Sequence, residues 1–158
     1  MAEFKQYFLD RAIELSKEHM MKDDGGPFGA IIVKDDKIIG EGWNCVTSHN
    51  DPTAHAEVQA IRKACGEISS FQLSNCEIYT SCEPCPMCLA SIYWARLDRI
   101  FYANTRTQAA SIGFDDEFIY EEIAKSISER SIPTIHHPSE KAQQVFEEWN
   151  TKLDKIKY

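Results

Sequence analysis

The sequence predicts an α/β protein in which helices cover a mixed β-sheet. Apolar residues recur at helical spacing near the N-terminus, and short apolar runs of strand type then alternate with helical stretches. Such alternation favours a layered arrangement of strands and helices. The 158 residues fit one domain, residues 1–158, since neither an internal repeat nor a low-complexity linker divides the chain.

Turn and helix-end residues set the limits of the predicted elements. Gly25-Gly26-Pro27 ends the first helix, and Asp35-Asp36 forms a hairpin turn. Gly66 stands where a helix C-terminus favours positive φ, and Pro86 stands in a first helical turn, where its missing N–H costs nothing. The predicted elements are, in chain order, a helix (4–21), two hairpin strands (30–33 and 38–43), a helix (54–65), a strand (77–80), a helix (86–95), a strand (99–102) and two helices (118–128 and 141–157).

Composition and charge indicate a soluble cytoplasmic protein. The formal net charge of −8 repels phosphate backbones, and the sequence shows no basic patch, so no nucleic-acid partner is expected. No apolar run approaches the roughly 18 residues that a membrane helix needs, and residues 1–15 lack the apolar core of a signal peptide, so no membrane partner is expected either. Because cytoplasmic thiols stay reduced, the six cysteines are not expected to form disulfides.

Two short segments carry residues that bind metals, His55-Ala56-Glu57 and Pro84-Cys85-Pro86-Met87-Cys88. Both lie at predicted loop-to-helix junctions, where the helix dipole helps a thiol to ionise. Cys85 and Cys88 are three positions apart and therefore share one face of the first helical turn. Zinc accepts imidazole and thiolate ligands in a tetrahedron, and three protein ligands leave the fourth position for water. We therefore predict that His55, Cys85 and Cys88 hold one zinc ion.

Glu57 is the predicted catalytic residue. It lies two positions after His55, so in a first helical turn it can point into the site while His55 reaches back to the metal. A carboxylate beside a water activated by zinc can accept its proton and return it to a leaving amine. The spacing His-x-Glu with a later Pro-Cys-x-x-Cys is the pattern of zinc nucleobase deaminases.

Other readings of the cysteines remain open. With Cys82, the three cysteines and His55 could form a closed structural zinc site in a non-catalytic binding module. An iron–sulfur cluster of bacterial ferredoxin type would need a fourth cysteine where Ile92 stands. A redox Cys-x-x-Cys pair would leave His55 and Glu57 unexplained.

The segments around both motifs resemble the cytidine deaminase superfamily, in its nucleobase-deaminase branch. Residues 53–57 and 83–88 are similar to that branch's two zinc motifs, which guanine deaminases and tRNA adenosine deaminases share. Residues 25–30 (GGPFGA), residues 112–116 (IGFDD) and the chain end at Tyr158 resemble bacterial guanine deaminases. The resemblance implies a three-layer α/β/α sandwich around a five-stranded mixed sheet. It also implies one zinc ion per subunit and a homodimer that exchanges the C-terminal segment, about residues 135–158.

The same resemblance implies a purine as the small-molecule substrate and names residues that would contact it. Asn44 would hydrogen-bond the purine ring, Phe28 would pack on its face, and Asp116 would accept from purine N–H or amino groups. Ala56 would add a contact, and Tyr158 would come from the partner subunit. From the residues alone, Asn44 could instead end a strand, and Phe28 could be core. Asp115 or Asp116 could cap a helix, and Tyr158 could be a frayed terminus.

The implied activity is hydrolysis of guanine to xanthine and ammonia. The same zinc chemistry would serve guanosine or another aminated base, and tRNA adenosine is the further alternative. The zinc motifs do not separate these substrates.

Overall fold

The computed structural model describes residues 3–158 and has the predicted α/β architecture. Contacts divide the chain into two compact units, one ending at Phe118 and one comprising Ile119–Tyr158. In chain order the elements are α1 (Gln6–Met20), β1 (Gly29–Lys34), β2 (Lys37–Trp43), α2 (Val46–His49), α3 (Ala56–Glu67), β3 (Cys76–Cys82), α4 (Pro86–Ala95), β4 (Arg99–Asn104), α5 (Arg106–Ser111), α6 (Glu117–Ala124), a 3₁₀ turn (Ile127–Glu129) and α7 (Glu140–Thr151).

The sheet is mixed, with the strand order β2-β1-β3-β4. β1 pairs antiparallel with both β2 and β3, and β3 pairs parallel with β4. The predicted hairpin is confirmed, with Asp35 and Asp36 both at positive φ (47° and 60°) in its turn. The parallel pair needs a crossover, which α4 supplies.

The prediction of five strands is wrong, because the described residues form four. After β4 the chain continues as helices, and residues 133–139 form no regular structure. Pro133 and Pro138 lie in that stretch, and proline has no N–H to donate to a ladder.

Helices cover both faces of the sheet, which gives the predicted three layers. Ile32 and Ile78 lie in one buried cluster with Ala60 of α3. Ile31 and Tyr79, their neighbours along the same strands, lie in a second cluster with α1. Successive strand residues point to opposite faces, so this division places α1 on one side and α3 on the other. All seven residues of β3 are buried accordingly.

A close contact between β2 and α3 fixes the start of that helix. A Cβ on Gly42 would lie 2.1 Å from the carbonyl oxygen of Ala56, and one on Gly40 would lie 2.5 Å from that of Ala60. Only glycine permits this close approach, so the backbone of the first turns of α3 packs directly against β2.

The helix α3 also ends later than the sequence predicts. Gly66 lies inside α3 and does not have positive φ, so that prediction is wrong. The left-handed residue is Ser69 (φ 51°), whose N–H donates to the Gly66 carbonyl at 3.3 Å. None of the helices in residues 3–158 is long and apolar enough to cross a membrane.

Candidate metal centre

His55, Cys85 and Cys88 come together where α3 and α4 begin. His55 is the N-cap residue of α3, Cys85 is the N-cap residue of α4, and Cys88 lies in the first turn of α4. The Nδ1 atom of His55 is 3.6 Å from Sγ of Cys85 and 3.5 Å from Sγ of Cys88. All three potential ligand atoms lie within 4.8 Å of one another.

This donor set fits zinc in both chemistry and spacing. Zinc–nitrogen bonds of about 2.0 Å and zinc–sulfur bonds of about 2.3 Å place a nitrogen and a sulfur about 3.5 Å apart in a tetrahedron. The two nitrogen–sulfur distances match that value. His55 and the two cysteines could therefore hold the ion, and a fourth position would remain for a water or substrate atom.

The electrostatics of the cluster favour a bound cation. A hydrogen bond with Cys88, together with one to His55, lowers the pKa of the Cys85 thiol to about 4. The pKa of Cys88 is raised, because its hydrogen bond to Cys85 and its burial both favour the thiol. The hydrogen bond to Cys85 likewise raises the pKa of His55. Neither N-cap residue uses its side chain to cap its helix, so both side chains are available to the cluster.

Glu57 lies beside these ligands, in the first turn of α3. Its side chain is buried, and burial raises the pKa of its carboxyl group. Hydrogen bonds from its own backbone N–H and from the Cys88 thiol oppose that rise. The structure therefore brings the predicted proton carrier next to the predicted ligands.

Cys82 does not join this cluster. Its buried thiol donates to the carbonyl oxygen of Thr105, with a sulfur–oxygen distance of 3.8 Å. Burial, reinforced by the nearby Glu57 carboxylate, raises its pKa to about 11. The metal-binding set found among residues 3–158 contains three residues and leaves Cys82 out. A closed site with four protein ligands is therefore not what this geometry provides.

Asn44 is buried with its amide held in one orientation. Its Oδ1 atom accepts hydrogen bonds from the backbone N–H groups of Gly26 and Val46, both at 3.2 Å. Gly25 lies so close that a Cβ there would be 2.3 Å from the same oxygen. Because Oδ1 is committed to backbone donors, the NH₂ group is the end left to meet a ligand. Asn44 also donates its backbone N–H to the Phe28 carbonyl at 3.1 Å.

Phe28 and the segment 112–116 meet through an aromatic contact. The ring of Phe28 packs edge-to-face against Phe114, with centroids 4.9 Å apart and an interplanar angle of 90°. Asp115 accepts from a backbone N–H at the start of α6 at 3.0 Å. Asp116 is half-buried, and its pKa is raised by burial and by the negative charge of Cys85. The helix-start role thus belongs to Asp115, and sequence reasoning did not identify Phe114.

Ala56 and Tyr158 are the remaining residues predicted to contact the substrate. Ala56 is fully buried as the first residue of α3, where backbone N–H groups have no partner within the helix. Tyr158 belongs to the second unit, so its contact with a partner's site stays a prediction.

Comparison with known proteins identifies the family. The model of the cytidine and deoxycytidylate deaminase zinc-binding region matches residues 2–104, which include His55, Cys85 and Cys88. The chain therefore belongs to this family of zinc-binding deaminases, and zinc is its cofactor.

Within the family, the relatives include guanine deaminases. The chain is 54% identical to the guanine deaminase of Bacillus subtilis (strain 168) over 151 residues, which are 96% of this chain and 97% of that protein. An X-ray structure of guanine deaminase from Bacillus subtilis superposes with a TM-score of 0.95 at 52% identity, covering 99% of each chain. A tRNA-specific adenosine deaminase of Aquifex aeolicus is 30% identical over 94% of this chain and 95% of that protein.

Proposed function

We propose that the chain hydrolyses guanine to xanthine and ammonia, with zinc held by His55, Cys85 and Cys88. The observation that carries this proposal is the convergence of these three ligands with the buried Glu57 at the starts of two helices. The choice of guanine is supported by the 54% identity to the Bacillus subtilis guanine deaminase over nearly the whole of both chains.

Glu57 moves the protons in the proposed reaction. When bound, zinc polarises the attacking water and stabilises the negative charge that develops on its oxygen. Glu57 takes a proton from that water as its oxygen bonds to C2 of the purine, and it delivers this proton to N3. Glu57 then takes the remaining proton from the new hydroxyl group on C2 and delivers it to the amine. The bond between C2 and the amine nitrogen breaks, the C2=O double bond of xanthine forms, and ammonia leaves. Burial suits this cycle, because a carboxyl pKa raised toward the working pH lets one group both accept and donate.

The proposed substrate contacts are those that the family resemblance implies, and the orientation of the Asn44 amide supports one of them. The NH₂ group of Asn44 donates to a ring or carbonyl acceptor of guanine, because its oxygen is held by Gly26 and Val46. Phe28 packs on the purine face, and Asp116 accepts from the purine N–H or amino groups. Ala56 contributes a backbone contact at the start of α3.

The proposed assembly is a homodimer in which the C-terminal segment, about residues 135–158, exchanges between subunits. Supporting this, apolar side chains of α7 are exposed, including Val145, Phe146 and Trp149. Tyr158 of the partner would then reach the purine site, and residues 1–158 would act as one deaminase domain. We place the protein in the cytoplasm, which agrees with six free cysteines.

A substrate panel tests the proposed function. Zinc-loaded protein is incubated with guanine, guanosine, adenine, cytosine and tRNA, and ammonia release is measured. We expect release from guanine, with xanthine formed in equal amount. Release from tRNA adenosine with none from guanine would transfer the assignment to the tRNA branch, and release from no substrate would leave the enzyme proposal without support.

A further inference from the structure

A tight turn precedes the metal ligand His55. The N–H of Ala54 donates to the carbonyl oxygen of Asp51 at 3.0 Å, which closes a four-residue turn over residues 51–54. Pro52 occupies the second position, where its fixed φ favours such a turn. The chain passes from this turn directly into α3.

The carboxylate of Asp51 holds the turn in one conformation through hydrogen bonds to Thr53, an arrangement that we call the lock. Its Oδ1 atom accepts from the backbone N–H of Thr53 at 2.8 Å and from the Thr53 hydroxyl at 2.7 Å. An aspartate that bonds the backbone two residues ahead restricts that segment to one conformation. Its Oδ2 atom faces Arg62 of α3 at 3.9 Å, a separation that adds little at an exposed surface.

The locked residues lead straight to the metal ligand. The N–H of His55 donates to the Thr53 carbonyl at 2.8 Å, and the Ala54 carbonyl accepts from Cys45 at 2.9 Å. His55 has no capping role of its own, because its imidazole turns toward Cys85 and Cys88. The hydrogen bonds of the preceding turn therefore determine the backbone from which that imidazole projects.

We propose that Asp51 is a positioning residue for the zinc site: by locking Thr53, it holds the His55 imidazole toward the two cysteine sulfurs. The proposal rests on the ligand role of His55 in the proposed function. Without the lock, residues 51–55 sample more conformations, and zinc binding has to order them at a cost in affinity. Residues that support metal ligands typically contribute about 10–100-fold to metal affinity, and Asp51 acts through the backbone, so we expect about 10-fold.

The test measures zinc affinity in the absence of substrate. Wild type, D51A, D51N and T53V are stripped of metal and titrated with zinc against a chromophoric chelator. We expect D51A to bind zinc about 10-fold more weakly, in line with ligand-supporting residues. D51N keeps an acceptor oxygen, so its zinc affinity should lie between those of wild type and D51A. T53V keeps the backbone hydrogen bond to Asp51, so it should lose less zinc affinity than D51A. Cobalt substitution should give D51A a weaker tetrahedral absorption band.

A matched control separates positioning from general stability. Asp98 is an exposed aspartate whose Oδ1 accepts from the backbone N–H of Asn75 at 3.1 Å, in a loop that contributes no ligand. D98A loses a comparable bond and should keep wild-type zinc affinity, even where its thermal unfolding falls as much as that of D51A.

Two results would overturn the proposal: wild-type zinc affinity in D51A, or an equal loss in D98A. H55A distinguishes this from failure of the site itself. Retained zinc affinity in H55A would refute the ligand role of His55, whereas loss in H55A with retention in D51A would refute only the positioning role.

Discussion

Replacing Gly42 by alanine tests how the sheet sets the metal site. A Cβ at this position would lie 2.1 Å from the Ala56 carbonyl oxygen and 2.4 Å from the Ala60 nitrogen. Ordinary contacts begin at 3.4 Å, so the nearer pair has to separate by about 1.3 Å. Both atoms belong to the backbone of α3, which cannot move aside as a side chain can.

The expected cost follows from that displacement. Overpacking costs about 1–3 kcal/mol, and we expect the upper end of this range because the clash is with backbone on two sides. Shifting the first turn of α3 also displaces His55 and Glu57 relative to the cysteines of α4. A misplacement of about 1 Å at a reacting group can lower the rate about 100-fold, so kcat should fall further than stability alone explains.

Gly66→Ala is the matched control in the same helix. A Cβ there meets nothing within 4 Å, and alanine favours helix over glycine by about 0.5–1 kcal/mol. Urea unfolding of both variants and kcat on guanine give the comparison. G66A should be slightly more stable than wild type with unchanged kcat. A G42A protein with wild-type stability and activity would show that the contact between β2 and α3 does not set the site.

Three further predictions concern single side chains of the site. C82A should keep wild-type zinc content after dialysis, because the Cys82 thiol bonds to a carbonyl rather than the metal; loss of zinc would restore the closed-site reading. N44D should raise KM for guanine at least about tenfold with zinc retained, since a carboxylate oxygen replaces the donating NH₂ group; an unchanged KM would remove Asn44 from the substrate site. In metal-free protein, burial raises the Glu57 pKa above its ordinary 4.5, so the stability that the neutral carboxyl contributes is complete below pH 4.5 and is lost as pH rises. E57Q should therefore gain stability relative to wild type as the pH rises above 4.5, and parallel unfolding curves at all pH values would contradict this.

Local signals explain which elements of the fold could be predicted. The hairpin followed from Asp35 and Asp36, which tolerate positive φ, and α4 begins at Pro86 as its turn chemistry requires. The short helices α2 and α5 have four and six residues, too few for apolar periodicity to register. The prediction of positive φ at Gly66 was wrong because a helix can end without a left-handed glycine. Here Ser69 takes the left-handed conformation instead.

The metal ligands of the site could also be predicted from local sequence, whereas contacts between distant segments could not. His55, Cys85 and Cys88 are readable because metal geometry imposes short spacings within each motif. The contact between Phe28 and Phe114 joins residues far apart in the chain, so no sequence spacing predicts it. Which of Asp115 and Asp116 starts α6 likewise depends on backbone geometry that composition does not carry.

The central claim is that zinc-loaded protein deaminates guanine through Glu57. Ammonia release from guanine by wild type and by E57Q, at matched zinc content, tests it most directly. Glutamine keeps the shape of the side chain but cannot carry the proton, and general acid–base catalysis is worth about 10²–10⁴-fold. We predict one ammonia per xanthine in wild type and a loss of at least about 100-fold in kcat for E57Q. Near-normal turnover by zinc-loaded E57Q would contradict the account.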